Sequence, residues 1–153
     1  MAQVTFRFLK PIDWVGRLVT WHLHEPWSHV VILIDDEVYS SEIPFVTMLP
    51  LDHRSVDAVR RKAFDIILAC TEVEALAIKN WCQSQIGILY DLSSILGWIF
   101  NFGWLQSRKR SYCFEFCHKA LVEIGLAQPL PGLIRGSKLL SVIREVIEDR
   151  VIS

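Results

Sequence analysis

The chain has 153 residues, of which 52% are apolar and 22% charged, and its formal net charge is −1. That length suits a single domain with its own core, and the near-neutral charge excludes a surface built around nucleic-acid phosphates. Four cysteines without regular spacing make no disulfide framework, and Met1 to Lys10 alternates instead of supplying the apolar stretch of a signal peptide, so a cytoplasmic setting is expected.

In chain order, Val4 to Phe8 alternates and reads as a strand. Ile12 to Trp21 follows Pro11 as a helix, with Ile12, Val15 and Val19 on one face and Leu18 at its margin. Val30 to Ile34 and Val38 to Ile43 are β-rich runs around Asp35-Asp36-Glu37, a hairpin signal. Pro44 and Pro50 bracket a short extended piece, and Lys62 to Leu68 is a further strand. Thr71 and Glu74 have the spacing of a capping box, opening a helix to about Gln85. Asp91 is placed to cap an apolar helix over Leu92 to Phe102.

The uncharged run from Leu92 to Leu105 is too short to span a bilayer, so no transmembrane segment is expected. It suits a buried helix, or peripheral membrane contact through residues 92–105. After the basic Arg108–Arg110 run, Phe116, Ala120, Leu121 and Ile124 recur at helical spacing and Gly125 is a stop. Pro129, Pro131 and Gly132 mark a loop, and the tail from Ser137 is read as helix on Leu139, Leu140, Ile143, Val146 and Ile147. No repeat or linker divides the chain. The expectation is one α+β domain over residues 1–153, a small antiparallel sheet packed against helices.

Cys113 carries the chemical signal. It falls in the first turn of its helix, where unpaired backbone N–H groups favour an anion. A helix terminus supplies roughly 0.3–1 kcal/mol, which is about one pKa unit or less, so a nucleophilic thiolate also needs a histidine. His22 and His24 end the first helix, His53 lies in a polar loop, and His118 is about 140° around the Cys113 helix. His29 opens a strand and is the best candidate. If Asp35-Asp36 form a two-residue loop, paired positions sum to 71 and His29 faces Glu42 on the same side of the sheet. Other loop lengths would put Ile43 or Ser41 there instead. A carboxylate beside the imidazole would fix its tautomer and raise its basicity. The run Cys113-x₃-Cys117-His118 lacks structural-zinc spacing, and no metal or cofactor is expected.

Ser28-His29-Val30, the acidic Glu42 on the following strand, the Tyr90-Asp91 step and Tyr112-Cys113-Phe114-Glu115 occur in an order that resembles the circularly permuted, NlpC-type, papain-like cysteine hydrolases, in their YiiX-like branch. The resemblance covers about residues 8 to 140 and rests on order and spacing. It implies a permuted papain-like fold with Cys113 as nucleophile, His29 as general base and Glu42 as orienting residue. The Cys113 N–H would be an oxyanion donor, with Tyr112, Phe114 and Ser28 beside the substrate. Phe114 replaces the usual serine after the cysteine, which makes that edge more apolar. A related branch, resembling lecithin:retinol acyltransferase, carries a second histidine where this chain has Ser41. The main expectation is a thiol hydrolase cleaving a peptide-like or peptidoglycan-like amide through a thioester. The alternatives are a lipid-directed acyl hydrolase or acyltransferase using the same residues, and an inactive binding module on this fold.

Overall fold

Val4, Phe6 and Phe8 are fully buried along one face of the first strand, and that face organises the molecule. The computed structural model describes residues 1–91 and 112–152. Five strands make one antiparallel sheet: β1 (Ala2–Leu9), β2 (His29–Ile34), β3 (Glu37–Ser41), β4 (Val46–Leu49) and β5 (Ala63–Cys70), in the order β4-β3-β2-β1-β5. Among the described residues four helices accompany it: α1 (Trp14–Leu23), α2 (Glu72–Ser84), α3 (Cys113–Glu123) and α4 (Gly136–Ile152). The α+β architecture expected from the sequence is therefore the one observed. The helix anticipated over Leu92 to Phe102 lies outside the described residues.

Parity along the strands sorts the two faces. Phe6, Phe8, Val30, Ile32, Tyr39, Ile66 and Leu68 share one core with Ile78, Phe116, Leu121, Leu139 and Ile143 of α2, α3 and α4. Each such side chain contributes roughly 1.5–3 kcal/mol when fully buried. The opposite face carries a smaller cluster of Leu9, Val31, Val38 and Val56, the last supplied by the loop before β5. His29 and Ser40 have the parity of this second face, while Cys113 belongs to the first core.

The hairpin forms as the pairing arithmetic requires. Asp35 and Asp36 both have positive φ, 50° and 65°, as a two-residue turn of the primed type demands. Ile34 pairs with Glu37, and the paired register continues to Ile32↔Tyr39. β3 ends at Ser41, so Glu42 falls just past the strand in which the sequence reading had put it. The first helix also begins later than expected. Asp13 accepts the Gly16 N–H at 2.6 Å as N-cap, which starts α1 at Trp14 and leaves Ile12 outside it. Leu18, taken as a margin of the inner face, is 51% exposed. The Thr71–Glu74 capping box is present in both directions and opens α2.

Candidate functional site

Three stretches of chain meet at the end of β2 where it enters the sheet. The β2 start supplies His29, the residues leaving β3 supply Ser40, Ser41 and Glu42, and the segment after α2 supplies Tyr90. That last segment is placed by backbone pairing with the chain before and into β4: Tyr90 N donates to Pro44 O at 2.9 Å and Val46 N to Ile88 O at 2.8 Å. The N-terminus of α3 then sets Cys113 against the same strand ends.

His29 Nε2 lies 2.8 Å from Ser40 Oγ, and Ser40 Oγ donates to Glu42 Oε1 at 3.1 Å. The direct His29–Glu42 separation is 3.6 Å, too long for a good hydrogen bond. Ser40 has a single hydroxyl proton. With that proton on Glu42, its oxygen must accept from His29, so Nε2 carries hydrogen and Nδ1 is the basic nitrogen. The carboxylate thus acts on the imidazole through a hydroxyl. Burial lowers the His29 pKa to about 4; Glu42 opposes this and the Arg61 cation adds to it. The ring is neutral at physiological pH.

Cys113 is the first residue of α3, and its N-cap, Tyr112, makes no side-chain capping bond. The first-turn N–H groups are therefore left for another acceptor. Burial pushes the Cys113 thiol up to about 11, against the N–H groups of Val30, Phe114 and Cys113 itself and the Tyr90 hydroxyl, all of which favour the thiolate. Burial holds the Tyr90 hydroxyl well above its ordinary value; the Cys113 sulfur adds to this and the Cys113 N–H opposes it. Cys113 is only 2% exposed. Among the described residues, no hydrogen bond joins its sulfur to His29.

A cavity of about 370 Å³ opens over the His29 side of the site. Its walls include Ile12, Ser28, His29, Glu42, Arg61 and Tyr90. Arg61 is buried and makes four hydrogen bonds: Nε and Nη2 reach Lys10 O at 2.9 and 2.6 Å, Nη2 also reaches Ser28 Oγ at 3.1 Å, and Nη1 binds Ser55 O. It fixes the loop over the cavity and places a positive charge near the imidazole and the sulfur.

The residues expected to touch substrate divide. Ser28 lines the cavity, although its hydroxyl also contacts Leu9 O at 3.4 Å. Tyr112 is buried and braces the core, its hydroxyl donating to Ile134 O at 2.9 Å and accepting from Ile134 N at 2.5 Å. Phe114 is buried too, its ring edge about one van der Waals contact from Gly136 at the start of α4. Glu115 pairs with Lys119 at 3.0 Å, one turn along α3. Ser41, the alternative third residue, is fully buried and has the parity of the Cys113 face. Ser40 was not anticipated, although the sum-of-71 register places it diagonally beside His29 on the same face. Tyr90 was noted only as half of a Tyr-Asp step. Arg61 had no local signal at all.

Among the described residues, no group of three or more His, Cys, Asp and Glu side chains is placed to hold a metal ion. Comparison of the sequence with protein-family models and with curated proteins finds no match.

Proposed function

We propose that this protein is a cysteine hydrolase that cleaves an amide bond of a peptide-like or peptidoglycan-like substrate through a thioester on Cys113. The observation that supports it best is the His29–Ser40–Glu42 chain, which leaves Nδ1 as a free base at the strand end against which α3 sets Cys113. In the proposed reaction Nδ1 takes the thiol proton and the sulfur attacks the substrate carbonyl carbon. The Cys113 N–H and the Tyr90 hydroxyl receive the developing oxyanion. Collapse breaks the C–N bond, and the imidazolium returns its proton to the departing amine. Water, deprotonated by the same nitrogen, then hydrolyses the thioester and restores the thiol.

Burial raises the Cys113 thiol and lowers the His29 imidazole, and both shifts favour the neutral forms of the two groups. The resting site is therefore latent. Substrate must displace Tyr90 from the sulfur and bring Nδ1 to it before chemistry starts. The resemblance to permuted papain-like hydrolases agrees with these roles and with no cofactor.

One observation favours a second reading, a binding module without turnover: the sulfur is buried beneath Tyr90 and lacks a hydrogen bond to His29. Hydrolysis of activated esters and peptide anilides by the wild type, Cys113→Ala and His29→Ala separates the two. The hydrolase reading predicts turnover that falls to background in Cys113→Ala and by about a hundredfold or more in His29→Ala. Turnover that survives Cys113→Ala overturns it, and absence of turnover in the wild type favours the binding module.

A further inference from the structure

Arg61 is a charge buried without a carboxylate against it. It is 7% exposed, and its hydrogen bonds go to the carbonyls of Lys10 and Ser55 and to the Ser28 hydroxyl, all neutral acceptors. No described acid comes within ion-pair range of it. A buried cation held only by neutral groups is costly, and burial lowers this guanidinium from its ordinary value while Asp13 and Glu42 pull the other way from further off. A guanidinium has five N–H donors, so one Nη1 N–H remains after the bond to Ser55 O.

Arg54, on the same loop, is a second cation in the wall of the same cavity. It is exposed and has no ion pair with a described residue. Arg61 fixes its place: Nη1 binds the carbonyl of Ser55, next to Arg54, and Nη2 reaches Ser28, next to His29. The two acids that line this cavity are already engaged by donors of the chain. Asp13 accepts the Gly16 N–H at 2.6 Å, and Glu42 accepts the Ser40 proton at 3.1 Å. The cavity thus brings together two guanidiniums with unused donors and two carboxylates that have donors. Pro11, Ile12 and Ile43 add apolar wall, and Tyr90, also lining it, interacts through its hydroxyl with the Cys113 sulfur.

We infer that Arg54 and Arg61 form a carboxylate subsite, so that the substrate carries a free carboxylate within about one residue of the bond to be cleaved. The cavity volume of about 370 Å³ is at the small end of ligand sites, about 300–1,000 Å³, which suits one or two amino-acid residues. The planar N–H fork of arginine matches the two oxygens of a carboxylate. A ligand with an ammonium group would meet both cations and would find Asp13 and Glu42 already hydrogen-bonded. A phosphate dianion would set two negative charges beside those acids, where a carboxylate sets one. A neutral ligand would leave the Arg54 fork unused. That the ligand is a substrate rests on the hydrolase reading above, whereas capture of the carboxylate needs no turnover.

The test titrates N-acetyl-alanyl-leucine and its C-terminal amide into the Cys113→Ala protein, followed by ¹H–¹⁵N spectra. The free acid should bind about tenfold or more tightly than the amide, with shifts at Ser28, His29 and Ser55. Arg54→Gln in the same background should bring the two ligands within about twofold of each other. Arg54 is exposed, and thermal unfolding beside the parent confirms that the variant keeps its fold. Equal binding of acid and amide overturns the inference, as does a preference that survives Arg54→Gln. Failure of either ligand to bind up to about 20 mM overturns it too. In the wild type, cleavage of the amide-ended peptide as fast as the acid-ended one would overturn the carboxylate subsite and uphold the hydrolase. Capture of the acid with no turnover of either peptide would count against the hydrolase reading and leave the subsite standing.

Discussion

Ser40 decides what His29 can do. Its one proton goes to Glu42, so it must accept from Nε2, and Nδ1 is left as the base. Ser40→Ala removes that relay, and the 3.6 Å gap between Nε2 and Glu42 is too wide to replace it. We expect ¹⁵N spectra to show the Nε2–H tautomer of His29 in the wild type and a mixture in Ser40→Ala, with Ser40→Thr retaining the wild-type pattern. Turnover should fall about tenfold or more in the alanine variant. An unchanged tautomer would make Ser40 a bystander. The Cys113 thiol gives a second prediction at this scale. Burial raises it to about 11, so the reactive thiolate grows about tenfold per pH unit below that value. Alkylation of Cys113 in the resting protein should therefore climb roughly a hundredfold between about pH 7 and 9, and a plateau near neutrality would mean a preformed thiolate–imidazolium pair. That Cys113 opens a helix, that His29 opens a strand and that Glu42 comes at the far end of the hairpin could be read from the sequence, because helix start, strand start and hairpin register are local signals. Ser40 was within reach of the same register, whereas Arg61 comes from a loop with no periodic signal.

The elements show where local physics sufficed and where it did not. The two aspartates of the β2–β3 turn, the Thr71 capping box and the α3 periodicity each declare themselves within a few residues, and each element forms there. The start of α1 was misplaced because Pro11 marked a helix boundary, whereas Asp13 supplies the cap two residues later. The roles of Tyr112 and Phe114 depended on contacts about 22 residues away, with Ile134 and Gly136, which no window along the chain contains. Tyr112 ties the start of α3 to the segment leading into α4, and so sets the position of Cys113. Tyr112→Phe leaves the buried Ile134 N–H and C=O without that partner, and should cost about 1–3 kcal/mol in urea unfolding. A loss of only a few tenths would show that the bridge does not anchor α3.

At the scale of the molecule, one sheet face carries the core with α2, α3 and α4, and the other carries a small cluster and the cavity. The candidate site lies at the strand ends, with His29 and Ser40 on the second face and Cys113 in the core of the first. Pattern reading reached the α+β class because strand parity and helix period are encoded along the whole chain. It did not reveal how deeply Cys113 is buried, which depends on segments far apart in the chain, among them the one that carries Tyr90. Among the described residues no helix is long and apolar enough to cross a membrane. The central claim is that Cys113 forms an acyl-enzyme with His29 as its base. Intact-mass and peptide mapping after acid quench of a reaction with an activated acyl ester tests it most directly. The account predicts a single acyl group on Cys113 in the wild type, absent in Cys113→Ala and accumulating at least about a hundredfold more slowly in His29→Ala. An adduct spread over Cys70 and Cys113 alike, or one whose rate is indifferent to His29, would contradict it.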